Sequence, residues 1–308
     1  MSKEIVALAR TIATRSTANL EVLFTEGRSP ATIRAYQADM ADFARFVGSP
    51  DAIKVLISSD AGSGNEIALR YRNNLLSRGL KPASVNRRMA TLRSVVAFAR
   101  TLGFVDWQIA IKGVKSQPYR DTRGCGTDGV RKMLTTLARR GDVKAVRDTA
   151  LVRLMFDLAL RCSEVVSLDL EHLVFAEICI HTLRKGRTER ERLTLPEPTI
   201  KALRAWVDAR GIDAGPLFTN LDRAGKGHRL TTNGVYRLVR KLGVQIGRKV
   251  RPHGLRHAAV TEALNLSGGD VRSVAKFSSH RSIQTVLIYD DARTDTAGEI
   301  ARLVAESI

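Results

Sequence analysis

Residues 251–291 read RPHGLRHAAVTEALNLSGGDVRSVAKFSSHRSIQTVLIYDD, and their spacing sets both a fold and a chemistry. His253 and Arg256 lie one helical turn apart, so their side chains leave the same side of a helix. His280 follows, and nine residues later comes Tyr289. A tyrosine hydroxyl is a poor nucleophile at its free pKa of about 10 and needs a neighbouring base or cation. Arginine holds phosphate oxygens through two parallel hydrogen bonds, which suits a transition state that gathers charge there. Two imidazoles, a guanidinium and a phenol in one stretch equip a protein to attack a phosphodiester without a metal. His253 and His257 are four apart, a metal-ligand spacing, but no third ligand accompanies them and Arg256 between them repels a cation.

Two more cations stand upstream. Arg161 ends an apolar helix in ALRCSEVVSL, either capping the helix dipole or serving a cleft. Lys185 sits at the tip of a hairpin expected over 173–195, where alternating residues flank Arg184-Lys185-Gly186-Arg187. Alone, each reads as an ordinary surface charge.

Together these residues resemble the tyrosine recombinase (phage integrase) family. Its signature runs His-x-x-Arg-His, then Gly-His, then a nucleophilic Tyr, and His253, Arg256, His257, His280 and Tyr289 fit it in order. Leu160, Arg161, Glu164 and Val165 match its Gly-Leu-Arg-x-x-Glu-Leu element, with Ala159 for the glycine. Lys185-Gly186 matches the lysine hairpin, and Ser279 replaces the glycine before His280. The resemblance implies six catalytic residues: Arg161, Lys185, His253, Arg256, His280 and the nucleophile Tyr289. Arg161 and Arg256 would clamp phosphate, His253 would act as acid–base or phosphate contact, and His280 would bond a non-bridging oxygen. Lys185 would protonate the leaving 5′ oxygen, Glu164 would support Arg161 or cap a turn, and His257 would be structural. The implied reaction breaks and rejoins DNA through a 3′-phosphotyrosyl link, with no cofactor and no metal. Strand relaxation of the type IB topoisomerase kind, and a catalytically silent DNA-binding regulator, are the rival readings.

Composition agrees with a polyanionic partner. The 308 residues carry a net charge of +19, and both halves share it, with 16 basic against 9 acidic residues over 1–112 and 34 against 22 beyond. No stretch reaches membrane-spanning length, and three cysteines without a C-x-x-C read as reduced thiols of a cytoplasmic protein.

The expected fold is mainly α with a small β-hairpin. Residues 1–27 are expected as an N-terminal helical extension, and 28–112 as a helical domain resembling the family's core-binding (SAM-like) domain. A linker over 113–126 leads to a catalytic domain at 127–308. Helices are expected from Ser29-Pro30 to Gly48, over 66–78 after a loose stretch at 58–66, and after Lys81-Pro82. From Pro198 onward the pattern reads as helical. Lys81, Arg87, Arg88, Arg93 and Arg184 are candidate DNA contacts. By resemblance the two domains clamp a double-stranded recombination site. The final helix, 294–307, is lent to a neighbour in a tetrameric synaptic complex. A second recombinase or an accessory DNA-bending protein stays open as a further partner.

Overall fold

Capping residues delimit the first helices. Ser29 accepts a hydrogen bond from the Thr32 amide at 3.2 Å, Pro30 occupies the first turn, and the left-handed Gly48 closes the helix Pro30–Val47. The computed structural model describes residues 17–115, 124–291 and 296–308, and the chain divides into two units, Met1–Pro118 and Tyr119–Ile308.

The first unit contains α1 (Thr17–Thr25), α2 (Pro30–Val47), α3 (Ala52–Ile57), α4 (Ala61–Ser77) and α5 (Pro82–Thr101). The apolar face read for α5 is buried: Val85, Met89, Leu92 and Val96 pack with Phe43, Leu56, Tyr71 and Leu75. Three expectations need correction. The stretch 58–66 is not loose. It holds the start of α4, because Asp60 accepts from the Ser63 amide at 2.7 Å. Gly64 lets the Trp107 ring approach, which would lie 2.3 Å from an added Cβ. Secondly, α1 is built into this unit's core, where Leu20 and Phe24 meet Ile53, Val95 and Ala99. Residues 1–16 of the extension expected over 1–27 lie outside the described residues. Thirdly, the linker expected at 113–126 begins as ordered chain on α5: Asn86 Nδ2 donates to Val114 O at 2.9 Å, and the Val114 amide donates back at 2.8 Å. Its residues 116–123 lie outside those described.

The second unit starts with α6 (Gly126–Arg140), α7 (Val143–Asp157) and the short α8 (Cys162–Val166). Strands β1 (Leu173–Val174), β2 (Cys179–Leu183) and β3 (Arg190–Thr194) form an antiparallel sheet in that order. Ile180 pairs with Leu173 on one side and Leu193 on the other. After these come α9 (Glu197–Arg210), α10 (Thr232–Gln245), α11 (Pro252–Leu266), α12 (Val271–Ser278), α13 (Ile283–Asp291) and α14 (Thr296–Glu306). Leu151, Leu154 and Met155 of α7 are fully buried in a core with Trp206, Phe218 and Leu255.

Residues 211–231 are not helical as expected. They form loops around a short 3-10 turn, Arg223–Gly225, held by Trp206 Nε1 donating to Leu217 O at 2.8 Å and by the Leu217 amide donating to Leu168 O at 2.9 Å. Gly211, Gly215, Pro216, Gly225 and Gly227 break the helical period there. Among the described residues no helix is long and apolar enough to cross a membrane.

Candidate active site

Arg161 is placed by the end of α7. After Leu158 the chain turns through Ala159, whose φ of 47° lies in the left-handed region, and Arg161 then caps α8. Such a backbone costs a non-glycine residue about 1 kcal/mol or more. Glu164, 2% exposed, accepts from the Arg161 amide at 2.8 Å and from its guanidinium at 2.8 Å. It also accepts from the Lys185 amide at 3.1 Å. One carboxylate thus ties the helix cap to the hairpin tip. Burial pushes Glu164 up, but the donors from Arg161 and Lys185 outweigh it and hold it below the ordinary carboxylate range.

Lys185 is exposed at the tip. Gly186, at φ 77°, faces the Arg281 guanidinium, which donates to its carbonyl; an added Cβ would lie 2.7 Å from that group. Arg184, expected to face DNA, is turned inward and 1% exposed. Its Nη2 donates to Phe277 O at 3.3 Å and its Nη1 stands 3.5 Å from Glu164.

Arg256 on α11 is also 1% exposed. It donates to the carbonyls of Ala159 and Ser278, and its Nε has no hydrogen-bond partner among the described residues. Ser279, like Ala159, takes a left-handed φ, 50°. Both places where the chain departs from the family's glycines therefore use the conformation a glycine favours. Burial and the Arg161 charge lower Arg256 to about 10.

Arg256 Nη2 lies 3.2 Å from His280 Nε2 and can only donate, so Nε2 accepts and the proton sits on Nδ1. Nδ1 donates to Ser278 Oγ at 2.7 Å, and Ser278 Oγ donates to Val274 O at 2.6 Å. Burial, with Arg256 and Arg161 nearby, pushes His280 down to about 4, so the ring is neutral at pH 7.

Arg161, Lys185, His253 and Arg256 line one open cleft of about 730 Å³, joined by Tyr236, Asn233 and Arg251 among others. Desolvation and the charges of Arg256 and Arg161 lower His253. His257 is buried between two rings, with centroids 4.0 Å from His253 and 4.9 Å from Tyr289. Tyr289 is 4% exposed and packs with Val260, Leu264, Val274 and Val286; its ring centroid is 6.1 Å from His280. Burial raises its hydroxyl, while Arg256 and Arg161 pull it back.

The six positions singled out in the sequence thus sit on α8, the hairpin, α11, the turn after α12, and α13, all in one unit. Four share the cleft; His280 reaches Arg256 from the side, and Tyr289 lies under cover. Arg281 and Ser278 support the site with no motif to mark them, and the inward role of Arg184 is set by Glu164 and the Phe277 carbonyl, far away along the chain. Tyr236 had no motif around it, yet α10 brings it to the cleft.

Residues 127–295 match the phage integrase family, and residues 20–103 match its N-terminal SAM-like domain. The chain is 36% identical to a tyrosine recombinase of Synechocystis sp., over 93% of its own length and 94% of the relative's. The chain belongs to the phage integrase family of tyrosine recombinases. It is 30% identical to tyrosine recombinase XerC of Salmonella typhi over 85% of each chain. Its fold is that of XerH site-specific recombinase, solved bound to palindromic difH substrate in a post-cleavage complex. That likeness has a TM-score of 0.69 at 19% identity and covers 93% of this chain and 84% of the other. As a tyrosine recombinase it is an enzyme that cleaves and rejoins DNA, and all six residues lie within the matched integrase segment.

Proposed function

We propose that the cleft takes one scissile phosphate of a duplex recombination site, and that Tyr289 attacks it, leaving a 3′-phosphotyrosyl link and a free 5′ hydroxyl. The observation that carries this reading is a surplus of cations: Arg161, Lys185 and Arg256 converge there, with Glu164 as the buried carboxylate that answers them. Arg161 and Arg256 hold the non-bridging oxygens as charge grows on them, and Lys185 protonates the leaving oxygen. His253, at the cleft, contacts the phosphate or moves a proton. His280 holds Arg256 in line through its neutral Nε2 until an arriving phosphate raises its proton affinity and lets it donate. Tyr289 is covered, so α13 must shift to present its hydroxyl once DNA is bound. The phosphotyrosyl bond keeps the energy of the broken one, so the reverse attack by a 5′ hydroxyl balances without ATP or metal.

The SAM-like unit contributes phosphate contacts through Lys81, which is exposed at the start of α5. Synapsis into a tetramer runs through α14, whose Ile300, Leu303 and Val304 are 56%, 66% and 58% exposed. Apolar side chains so placed fit a neighbour's groove.

A suicide-substrate assay tests the reaction, using nicked duplexes with EDTA and no ATP. A protein–DNA adduct that survives denaturant, disappears in Tyr289→Phe and persists in Tyr236→Phe supports the reading. The reverse pattern would move the nucleophile to Tyr236. Binding without adduct would favour the silent regulator, and relaxation of supercoiled circles without strand exchange would favour the topoisomerase.

A further inference from the structure

Three ligating side chains gather on the sheet away from the cleft residues. Glu177, Cys179 and His181 offer a carboxylate oxygen, a thiol sulfur and an imidazole nitrogen that all lie within 4.8 Å of one another. Cys179 Sγ stands 3.7 Å from Glu177 Oε2 and 3.8 Å from His181 Nε2. A tetrahedral zinc ion with Zn–S of about 2.3 Å and Zn–N or Zn–O of about 2.0 Å sets its ligands roughly 3.5 Å apart, so small side-chain shifts would close the site. The placement follows from the strand. Ile180 points into the unit's core, and Cys179 and His181 on either side of it face the other way. Ile178, held at a left-handed φ of 54° despite its branched Cβ, turns the chain so that Glu177 comes over Cys179.

Another grouping of the same kind, Asp169, Glu171 and His172, is already used by the fold. There the Asp169 amide donates to His172 Nδ1 at 2.8 Å and Arg229 pairs with the Asp169 carboxylate. Around Cys179, by contrast, the hydrogen bonds of the thiol and of the His181 ring stay within the cluster among the described residues. The competitor is Arg192 of β3. It lies 3.6 Å from the Glu177 carboxylate and its Nη2 donates to Glu177 O at 3.2 Å, but its side chain is half exposed, and the backbone bond can stay while the carboxylate turns to a cation.

We infer that Glu177, Cys179 and His181 form a binding site for a thiophilic divalent cation of the zinc class, with water as a fourth ligand. The Cys179 thiol releases its proton to solvent as the metal–sulfur bond forms, and the cation replaces the Arg192 charge beside Glu177. The site clamps the turn before β2 to the strand that leads to Lys185. It stands apart from the chemistry at Tyr289 and does not depend on it.

Cobalt titration of the full chain is the test, because a thiolate–cobalt bond gives a near-ultraviolet charge-transfer band and tetrahedral cobalt gives intense visible bands. One equivalent should bind, zinc should displace it, and the bands should vanish in Cys179→Ser. Because Cys179 is fully buried, His181→Asn supplies the second arm: with its circular dichroism unchanged, it should bind roughly tenfold or more weakly. Arg192→Gln should bind more tightly than the parent. No charge-transfer band up to millimolar cobalt would overturn the site. So would a band that survives Cys179→Ser, which would belong to Cys125 or Cys162, or unchanged affinity in folded His181→Asn.

Discussion

The two units differ in which partner of their arginine–carboxylate clusters is buried: in the first the carboxylates are, while most of their arginines reach solvent, and in the second Arg184 and Arg256 are themselves 1% exposed. In the first, Asp39 and Asp42 are each 2% exposed and crowded with donors. Asp42 accepts from Arg78 at 2.9 and 3.1 Å, from Arg45 at 3.0 Å, from the Tyr71 hydroxyl at 2.8 Å and from Arg88. Asp39 takes Arg87 and the Thr91 hydroxyl. Around the cleft of the second unit, Glu164 is the buried carboxylate for Arg161 and Arg184, the half-exposed Glu191 lies 3.4 Å from Arg184, and among the described residues Arg256 meets carbonyls and His280. In the first cluster arginines answer both carboxylates, although Asp39 Oδ1 has no hydrogen-bond partner among the described residues. In the second, Arg256 meets no carboxylate among the described residues, and the proposed scissile phosphate would supply that anion.

Breaking the first cluster should have the largest effect. Asp42→Ala strands Arg78, Arg88 and the Tyr71 hydroxyl, and should cost about 3–5 kcal/mol in urea unfolding. A loss under about 1 kcal/mol would make the cluster equivalent to exposed ion pairs and erase the contrast. The mirror experiment is Arg256→Met. Removing this buried cation leaves the carbonyls of Ala159 and Ser278 without their donor, so stability should fall by about 1–3 kcal/mol, while adduct formation falls roughly 10²- to 10³-fold. A larger loss of stability would show that Arg256 is structural like Arg88.

The smallest effect is a pH dependence. His280 sits at about 4 in the folded chain against 6.5 ordinarily. Between those values the unfolded chain binds a proton that the folded one does not, so stability rises with pH across the window and is lost as pH falls through it. A contribution on the order of 2 kcal/mol, after solvent screening, should appear in urea midpoints between pH 4 and 7 and flatten in His280→Gln. An unchanged slope in that variant would remove His280 from the cationic cluster's account.

The basic face of α5 meets partners that no local pattern in the sequence shows. Arg87, Arg88 and Arg93 occupy one side of an amphipathic helix, which suggests a DNA-facing stripe. In the structure Arg87 and Arg88 pair with Asp39 and Asp42, Arg93 donates to Ile111 O, and Arg87 keeps half of its side chain exposed. Helical period tells which side a residue leaves by and nothing about what stands there. The acidic partners lie 46 and 48 residues away in sequence, beyond the reach of any local pattern. The glycine-rich opening of α4 is helical for a similar reason, since Gly64 answers to Trp107.

What the sequence determined alone was the identity and order of the reactive groups, together with the helices and hairpin that carry them. Capping, periodicity and turn chemistry act over a few residues, so Ser29-Pro30, the hairpin and the His253–Arg256 turn could be read directly. Only the tertiary structure decided which cation serves the cleft. Lys185 faces out and Arg184 faces in, because Glu164, 20 residues upstream, and the carbonyl of Phe277, 93 residues downstream, capture the arginine. That choice depends on desolvation and long-range pairing, which exist only once the chain has closed on itself.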